Sequence, residues 1–409
     1  MPDGQCSAAG GRALGHEGNS GGIRRDRLAL RAIAAGGAAK FARDEIVSRR
    51  ALRGYNETLL DRRTFLLTPL AAMAACHRKA SRFPGYAFVA NSGDQAIGVV
   101  DLKEFVLARH IRLDASPTAI LGHPQRSFIY ALTPESGAIH EIDTGSFRVT
   151  RSVRLAREAV AMRLSPDGSA IWVLCRQARQ LARVPLDSLR PDIRIPLAAE
   201  PADFDLSGDG KAAVSYGTNG GIGIVDLPRR ASRFFDVCKA SSFVRFRHDD
   251  RQIFAGDTAA RTFTILDAPT GNVVVRLPLA VRPDRICIKA DGGQAFVSGE
   301  GLNAVAVIYP YLTEVAETVL AGRAPGEMAE CAASDADYLF VANPASGQVT
   351  IVDIDTRRVI AAVTVGQGPR FITTTPDGQY ALVLNRDSGD MAVIRLSSVV
   401  SDRTKSAPL

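Results

Sequence analysis

The stretch FVANPASGQVTIVDIDTRRVIAAVTVGQGPRFITTTPDG, residues 340–378, decides the fold of this 409-residue chain. It consists of short runs rich in Val, Ile and Thr that are separated by Pro, Gly, Asn and Asp. Branched apolar residues favour β-strands, and the separating residues favour tight turns. The stretch therefore predicts a series of short antiparallel strands rather than a helix.

The pattern of this stretch recurs along most of the chain. Each copy ends its third apolar run at a matching position, and these positions follow one another every 39–44 residues: Asp101, Asp143, Asp187, Asp226, Asp267, Tyr309, Asp353 and Arg395. A fixed period of this length is the mark of a repeat architecture. The repeats thus define one large unit and not several unrelated domains.

A second set of markers lies between the first and second strand of each copy. These are turn sequences such as Ser165-Pro-Asp-Gly168 and Thr375-Pro-Asp-Gly378, which suit a reversal between antiparallel strands. The strand before the turn alternates, and one position is apolar in all seven copies: Ile120, Met162, Phe204, Val244, Ile286, Met328 and Ile372. A period of two with a constant apolar member indicates a partly buried β-strand.

A unit of four short strands cannot bury both of its faces alone, so successive units must stack, and closing the stack into a ring protects its edges. We therefore predict an all-β fold, a β-propeller of four-stranded antiparallel blades over residues 83–398. Residues 399–409 are predicted to form a flexible tail. The strand count leaves seven or eight blades open, because the first unit opens at a second strand and the last stops after a third.

The units resemble those of the YVTN-repeat β-propeller family, a WD40-like type found in surface-layer and periplasmic proteins. The resemblance is carried by Gly366-Gln-Gly-Pro369, Thr375-Pro-Asp-Gly378, Phe340-Val-Ala-Asn343 and Val349-Thr-Ile-Val-Asp353. It covers the repeat region, although Trp172-Val-Leu-Cys175 and Phe254-Ala-Gly-Asp257 lack the final Asn. It implies an exported propeller that serves as a binding scaffold.

The positive charge of the chain lies outside the repeats. Residues 1–82 carry a net charge of +8, which leaves −1 of the total +7 for residues 83–409. Bulk charge therefore gives no support for a nucleic-acid groove on the propeller. We expect residues 1–58 to be a disordered extension or a mis-assigned start of translation, and the whole N-terminal region to be non-globular.

Residues 59–76 have the features of an export signal. Arg62 and Arg63 precede an uncharged run, Phe65 to Ala75, that is too short to span a bilayer. The Arg-Arg-x-Phe-Leu pattern resembles twin-arginine (Tat) signals. Met73-Ala-Ala-Cys76 resembles a lipoprotein cleavage site, so either a soluble signal peptide or membrane attachment through a lipidated Cys76 is open. We expect the mature protein in the periplasm, associated with the outer membrane or on the cell surface.

The sequence contains no motif of a catalytic, metal or cofactor site. The six histidines and six cysteines show no metal-ligand spacing. The repeats do predict one concentration of charge, at the mouth of the central channel, where the innermost strands begin: Asp203, Asp284, Arg285, Glu327 and Arg370, with Arg163, Asp205 and Arg245 slightly further along. These groups either bind a ligand or only pair with one another across blades.

Three functions follow, of which we favour the first. It is a non-catalytic binding propeller, whose ligand at the channel mouth is an unknown protein or small molecule. The second is a hydrolase of the propeller-lactonase type, with Glu327, Arg285 and Arg370 as candidate residues. The third, nucleic-acid binding, is disfavoured by the near-neutral propeller and by an aromatic content of 6%.

Overall fold

The computed structural model describes residues 29–33, 85–332 and 336–400, and these form strands almost throughout. Strand β1 (Ala29–Ile33) is the one described element before Tyr86. The predicted signal residues Arg62, Arg63 and Cys76 lie outside the described residues, as do residues 401–409 of the predicted tail. No described helix is long and apolar enough to cross a membrane.

The strands group into eight sheets, one for each repeat. The first sheet, blade 1, has three described strands: β2 (Tyr86–Asn91), β3 (Ala96–Asp101) and β4 (Val106–Arg112). Blade 2 contains β5 (Ala119–Gly122), β6 (Phe128–Thr133), β7 (Ala138–Asp143) and β8 (Arg148–Arg154). Blade 3 contains β9 (Ala159–Leu164), β10 (Ala170–Cys175), β11 (Gln180–Pro185) and β12 (Ile193–Pro196).

The next three blades repeat the four-strand order. Blade 4 contains β13 (Asp203–Leu206), β14 (Lys211–Ser215), β15 (Ile222–Asp226) and β16 (Ala231–Phe235). Blade 5 contains β17 (Ser241–Phe246), β18 (Gln252–Asp257), β19 (Thr262–Asp267) and β20 (Val273–Pro278). Blade 6 contains β21 (Arg282–Ile288), β22 (Ala295–Glu300), β23 (Ala304–Tyr309) and β24 (Glu314–Leu320).

The last two blades end the repeat region. Blade 7 contains β25 (Met328–Ala332), β26 (Asp337–Asn343), β27 (Gln348–Asp353) and β28 (Arg358–Thr364). Blade 8 contains β29 (Pro369–Thr374), β30 (Tyr380–Asn385) and β31 (Asp390–Arg395), and β1 pairs parallel with β31 at its outer edge. A short helix, α1 (Leu396–Val400), follows and extends two residues beyond the predicted end of the propeller.

Eight apolar clusters hold the sheets together, one between each pair of neighbouring blades. The interface between blades 8 and 1 joins the two ends of the repeat region. There Val89, Val100 and Leu102 of blade 1 pack with Leu382 and Met391 of blade 8. Burial of such side chains is the main force that stabilises stacked sheets. The sheets therefore form a closed ring, and the propeller has eight blades.

The eight-bladed ring confirms the predicted all-β propeller and decides the blade number that the strand count left open. Seven of the eight third strands end at the residue that the repeat predicts, and β11 ends at Pro185, two residues before Asp187. Blade 1 and blade 8 close the ring by packing face to face. Neither borrows an antiparallel strand from the other, which is why counting strands alone did not settle the number.

Candidate ligand site in the central channel

The innermost strands β5, β9, β13, β17, β21, β25 and β29 surround the central channel. Successive side chains along each innermost strand point alternately toward the preceding blade and the following blade. The constant apolar position packs against the preceding blade, as Phe204 of blade 4 does in the cluster with blade 3. The two positions that flank it face the following blade, as Asp205 of blade 4 does when its carboxylate accepts a hydrogen bond from the Phe246 amide of blade 5 at 2.9 Å.

Charged residues occupy these flanking positions in blades 3, 4 and 5. Arg163 of blade 3 lies 3.5 Å from a carboxylate oxygen of Asp203 and 4.0 Å from one of Asp205, both in blade 4. Arg245 of blade 5 contacts the other oxygen of Asp203. Arg163 also lies over the ring of Phe204, with 5.7 Å from its guanidinium carbon to the ring centroid. The four groups form one network across three blades.

A second group of charges continues this network into blades 6 and 7. Arg285 Nε lies 2.5 Å from Glu327 Oε1, and Arg285 Nη1 lies 3.1 Å from a carboxylate oxygen of its neighbour Asp284. Electrostatic attraction between Glu327 and Arg245 links the second group to the first. We call the seven residues Arg163, Asp203, Asp205, Arg245, Asp284, Arg285 and Glu327 the charged arc. Three positive and four negative groups nearly cancel within it.

The surroundings of the arc shift the pKa values of several members. Burial raises the pKa of Asp205 and of Glu327, and the nearby arginines only partly oppose this. Burial also lowers the pKa of Arg163, an effect that the neighbouring charge of Arg245 increases. Burial makes the charged form of an ionisable group less stable, and groups with pKa values shifted in this way are common in binding and catalytic sites.

The structure brings four of the five predicted site residues into the arc and leaves one outside it. Asp203, Asp284, Arg285 and Glu327 are arc members, and so are the three residues predicted slightly further along. Arg370 of blade 8 is exposed, and no hydrogen bond or ion pair to it is found among the described residues. Arg370 lies at a β-bulge between Pro369 and Phe371, so no residue of β30 pairs with it. Asp284 lies at an equivalent bulge in β21 of blade 6. Bulges redirect side chains and often lie next to functional sites.

Phe371 is a channel residue that the sequence analysis did not single out. It is 50% exposed on β29 beside Arg370. An aromatic residue in a repeat strand is indistinguishable from a core residue by sequence. The available signal was its position, which faces the following blade, together with the repeat pattern, which opens at a second strand in blade 1.

No group of three or more His, Cys, Asp or Glu side chains in the described parts of the chain is placed to hold a metal ion. The arc supplies arginine donors and carboxylates instead. Such groups bind by charge-assisted hydrogen bonds, and Glu327 can also hold a proton.

Comparison with known proteins relates the chain to solved structures only. No family model matches the chain, and no curated protein matches it in sequence. Dihydro-heme d1 dehydrogenase NirN in complex with DHE matches with 16% identity, a TM-score of 0.63 and coverage of 77% of this chain and 71% of that chain. The Cps50 (Swd1) beta-propeller domain of Myceliophteria thermophila matches with 12% identity, a TM-score of 0.53 and coverage of 67% and 94%.

A third solved structure, streptogramin B lyase, matches with 14% identity, a TM-score of 0.53 and coverage of 66% of this chain and 90% of that chain. The structures similar to this chain thus include both enzymes and a propeller domain, and identities this low reveal fold alone. By its sheets and by these likenesses, the chain has the β-propeller fold.

Proposed function

We propose that the chain is an exported, non-catalytic propeller that binds its ligand at the mouth of the central channel. The observation that carries this proposal is the charged arc. Seven ionisable side chains from five consecutive blades meet there, and burial opposes the charge of Asp205, Glu327 and Arg163. Because these side chains are both charged and partly removed from water, a ligand with polar or charged groups could replace the remaining water and bind to them.

Two features of the sequence support the export part of the proposal. The repeats resemble those of the YVTN family, whose members are exported, and the N-terminal region has twin-arginine and lipoprotein features at Arg62, Arg63 and Cys76. Replacing both arginines with lysine is expected to keep the protein in the cytoplasm, as measured by cell fractionation. Replacing Cys76 with Ser is expected to abolish lipid labelling if a lipid anchors the protein. Normal export of the double-lysine variant would contradict a twin-arginine route.

Binding at the arc is tested by a thermal-shift screen of small anions, cations and zwitterions, with any hit measured by calorimetry. We expect a hit to stabilise the wild type and to lose at least about tenfold in affinity in Arg285→Ala, because a charge-assisted hydrogen bond is lost. Arg358→Ala is the matched control, because Arg358 is exposed on the outer strand of blade 7. Equal affinity of the two variants would exclude the arc as the site.

One observation keeps a hydrolase of the lactonase type as a second candidate. The raised pKa of Glu327 and its contact with Arg285 are suitable for general acid and base catalysis. If the protein hydrolyses lactones, Glu327→Gln should lose turnover by about 100-fold or more, while Glu314→Gln, on the exposed outer strand of blade 6, should not. Turnover that depends on Glu327 would contradict the binding-only proposal.

A further inference from the structure

Blade 1 lacks an innermost strand among the described residues. Its sheet has the order β2-β3-β4, so β2 lies at the channel edge, whereas each other blade covers its second strand with an innermost one. Burial follows this difference. Five of the six residues of β2 are half-buried or exposed, against at most one in each of the other seven second strands.

The neighbouring blade shows the same gap. Phe243 of blade 5 and Phe371 of blade 8 occupy the same repeat position, immediately before the constant apolar residue, and both positions face the following blade. Phe243 is 2% exposed because β21 of blade 6 covers it, whereas Phe371 is 50% exposed. The gap is therefore a slot, bounded by β2 on one side and by Arg370 and Phe371 on the other.

The edge of β2 can accept another strand. An edge strand presents unpaired N–H and C=O groups, which proteins use to bind extended peptides by strand addition. We propose that the slot binds an extended peptide segment of about six residues, the length of β2, as the missing innermost strand. This inference rests on the proposed binding function and specifies its partner as a polypeptide.

The direction and charge of the peptide follow from the neighbouring strands. The seven innermost strands run antiparallel to their second strands, so a peptide in the slot would place its N-terminal end level with the start of β29. Arg370 lies at that end, and it has no acidic partner among the described residues, whereas the arginines of the arc do. The segment is therefore acidic at its N-terminal end, and apolar beside Phe371.

The chain's own preceding residues fit the slot less well. In five blades the constant apolar residue lies 11 positions before its partner on the second strand, as Ile372 does before Val383. The residue 11 positions before Val89 is Arg78, a charged residue where all seven innermost strands are apolar. Burying an unpaired charge there is costly, and this favours a separate polypeptide as the occupant.

The test uses the full chain and the peptide Ac-Glu-Val-Thr-Val-Thr-Val-NH2, with fluorescence anisotropy for affinity and amide hydrogen exchange for location. We expect binding to slow exchange in Tyr86–Asn91. Arg370→Ala should weaken affinity about tenfold through loss of a charge-assisted contact. Arg358→Ala and a peptide that begins with Lys are the matched controls; the first should bind normally and the second weakly.

Other results would overturn the proposal. If the β2 amides are already protected in the free protein and lose protection when residues 1–82 are deleted, the chain fills its own slot. If protection depends on protein concentration, a second copy fills it. Absence of peptide binding, with a small ligand still bound through Arg285, would refute the peptide and leave the proposed function intact.

Discussion

At the scale of single residues, the contact between Gly366 and Asn385 explains two consensus positions of the repeat together. A Cβ atom on Gly366 would lie 2.5 Å from Asn385 Nδ2, and one on Gly322 would lie 2.6 Å from Asn343 Cγ. The glycine before each of these blades and the asparagine that ends its second strand therefore occupy one tightly packed spot. Trp172-Val-Leu-Cys175 lacks the asparagine, and Ala156 and Arg157 precede that blade where the glycine would be expected.

Gly366→Ala should destabilise the protein by about 1–3 kcal/mol, because overpacking a filled space forces neighbours to move. Gly122→Ala is the control, because no atom lies within 4 Å of a Cβ atom added there. Chemical denaturation of the two variants measures the difference. Equal stabilities would show that the Gly366 site can expand freely.

His140 is buried on β7 of blade 2 and joins that strand to the segment between β4 and β5, which contains Asp114. Its Nε2 lies 2.9 Å from Asp114 Oδ1, and its Nδ1 lies 2.8 Å from Ser152 Oγ. Burial lowers the pKa of His140 below its ordinary value of 6.5, although Asp114 opposes this. The folded protein therefore binds a proton at this site less readily than the unfolded chain does.

It follows that His140 makes stability decrease as the pH falls below about 6.5, because the unfolded chain then takes up the proton first. His140→Thr, which introduces the residue found at the equivalent position of blade 7, should reduce this dependence. His110→Gln, on the exposed outer strand of blade 1, should leave it unchanged. Urea unfolding at a series of pH values tests the prediction, and an unaltered slope in the Thr variant would contradict it.

Single residues were predicted from the sequence where a local pattern fixes them. The constant apolar positions all lie on innermost strands, and seven of the eight third strands end where the repeat placed their last residue. The partners of the charged residues were not predictable, because they are distant in sequence. Arg245, for example, contacts Asp203, which lies 42 positions earlier and in a different blade. Arg370 has no partner among the described residues, and this depends on blade 1, in which no innermost strand is described; no local pattern around Arg370 shows it.

At the scale of strands and turns, the chain uses different residues for one backbone conformation. The turns between the second and third strands of blades 2, 7 and 8 place Gly137, Gly347 and Gly389 at positive φ. In blade 5 the same place is held by Arg261, with φ of 53°. A residue with a side chain is strained in this left-handed region.

Arg261→Gly should therefore stabilise the protein by about 0.5–1 kcal/mol, since the strain relieved exceeds the entropy that glycine adds to the unfolded chain. Arg261→Ala removes the same exposed side chain and should bring no gain, because alanine keeps the strain. The shift in thermal midpoint distinguishes the two. A gain of similar size in both variants would assign the effect to the arginine side chain and not to the backbone.

The strands themselves were predictable because the innermost ones alternate with a period of two, the second and third are short apolar runs that are buried on both faces, and recognisable turns separate them. The bulges were not, since Arg370 and Asp284 look like ordinary strand residues in sequence. A bulge arises when the innermost strand curves around the channel, and that curvature depends on the packing of the whole ring.

At the scale of the whole molecule, the ring determines the properties of the channel. Blades 3 to 7 supply the arc, while blade 1 supplies no innermost strand among the described residues, so the channel has one charged side and one open side. The number of blades could not be read from the sequence. It depends on the angle between neighbouring blades, which is set by the side chains in the eight interfaces together.

The closure of the ring between blades 8 and 1 is the central claim, because both the channel and the slot depend on it. Phe105 of blade 1 and Tyr380 of blade 8 meet there in an edge-to-face contact with 5.4 Å between ring centroids. A double-mutant cycle with Phe105→Ala and Tyr380→Ala measures their coupling directly. Tyr338, at a similar position in blade 7, provides the control cycle.

If the ring is closed as described, Phe105 and Tyr380 should couple by about 0.5–1.5 kcal/mol, as aromatic pairs in contact do. Phe105 and Tyr338 should not couple, because they belong to blades that do not touch. A coupling of zero between Phe105 and Tyr380, with both single variants folded, would contradict the eight-bladed closed ring.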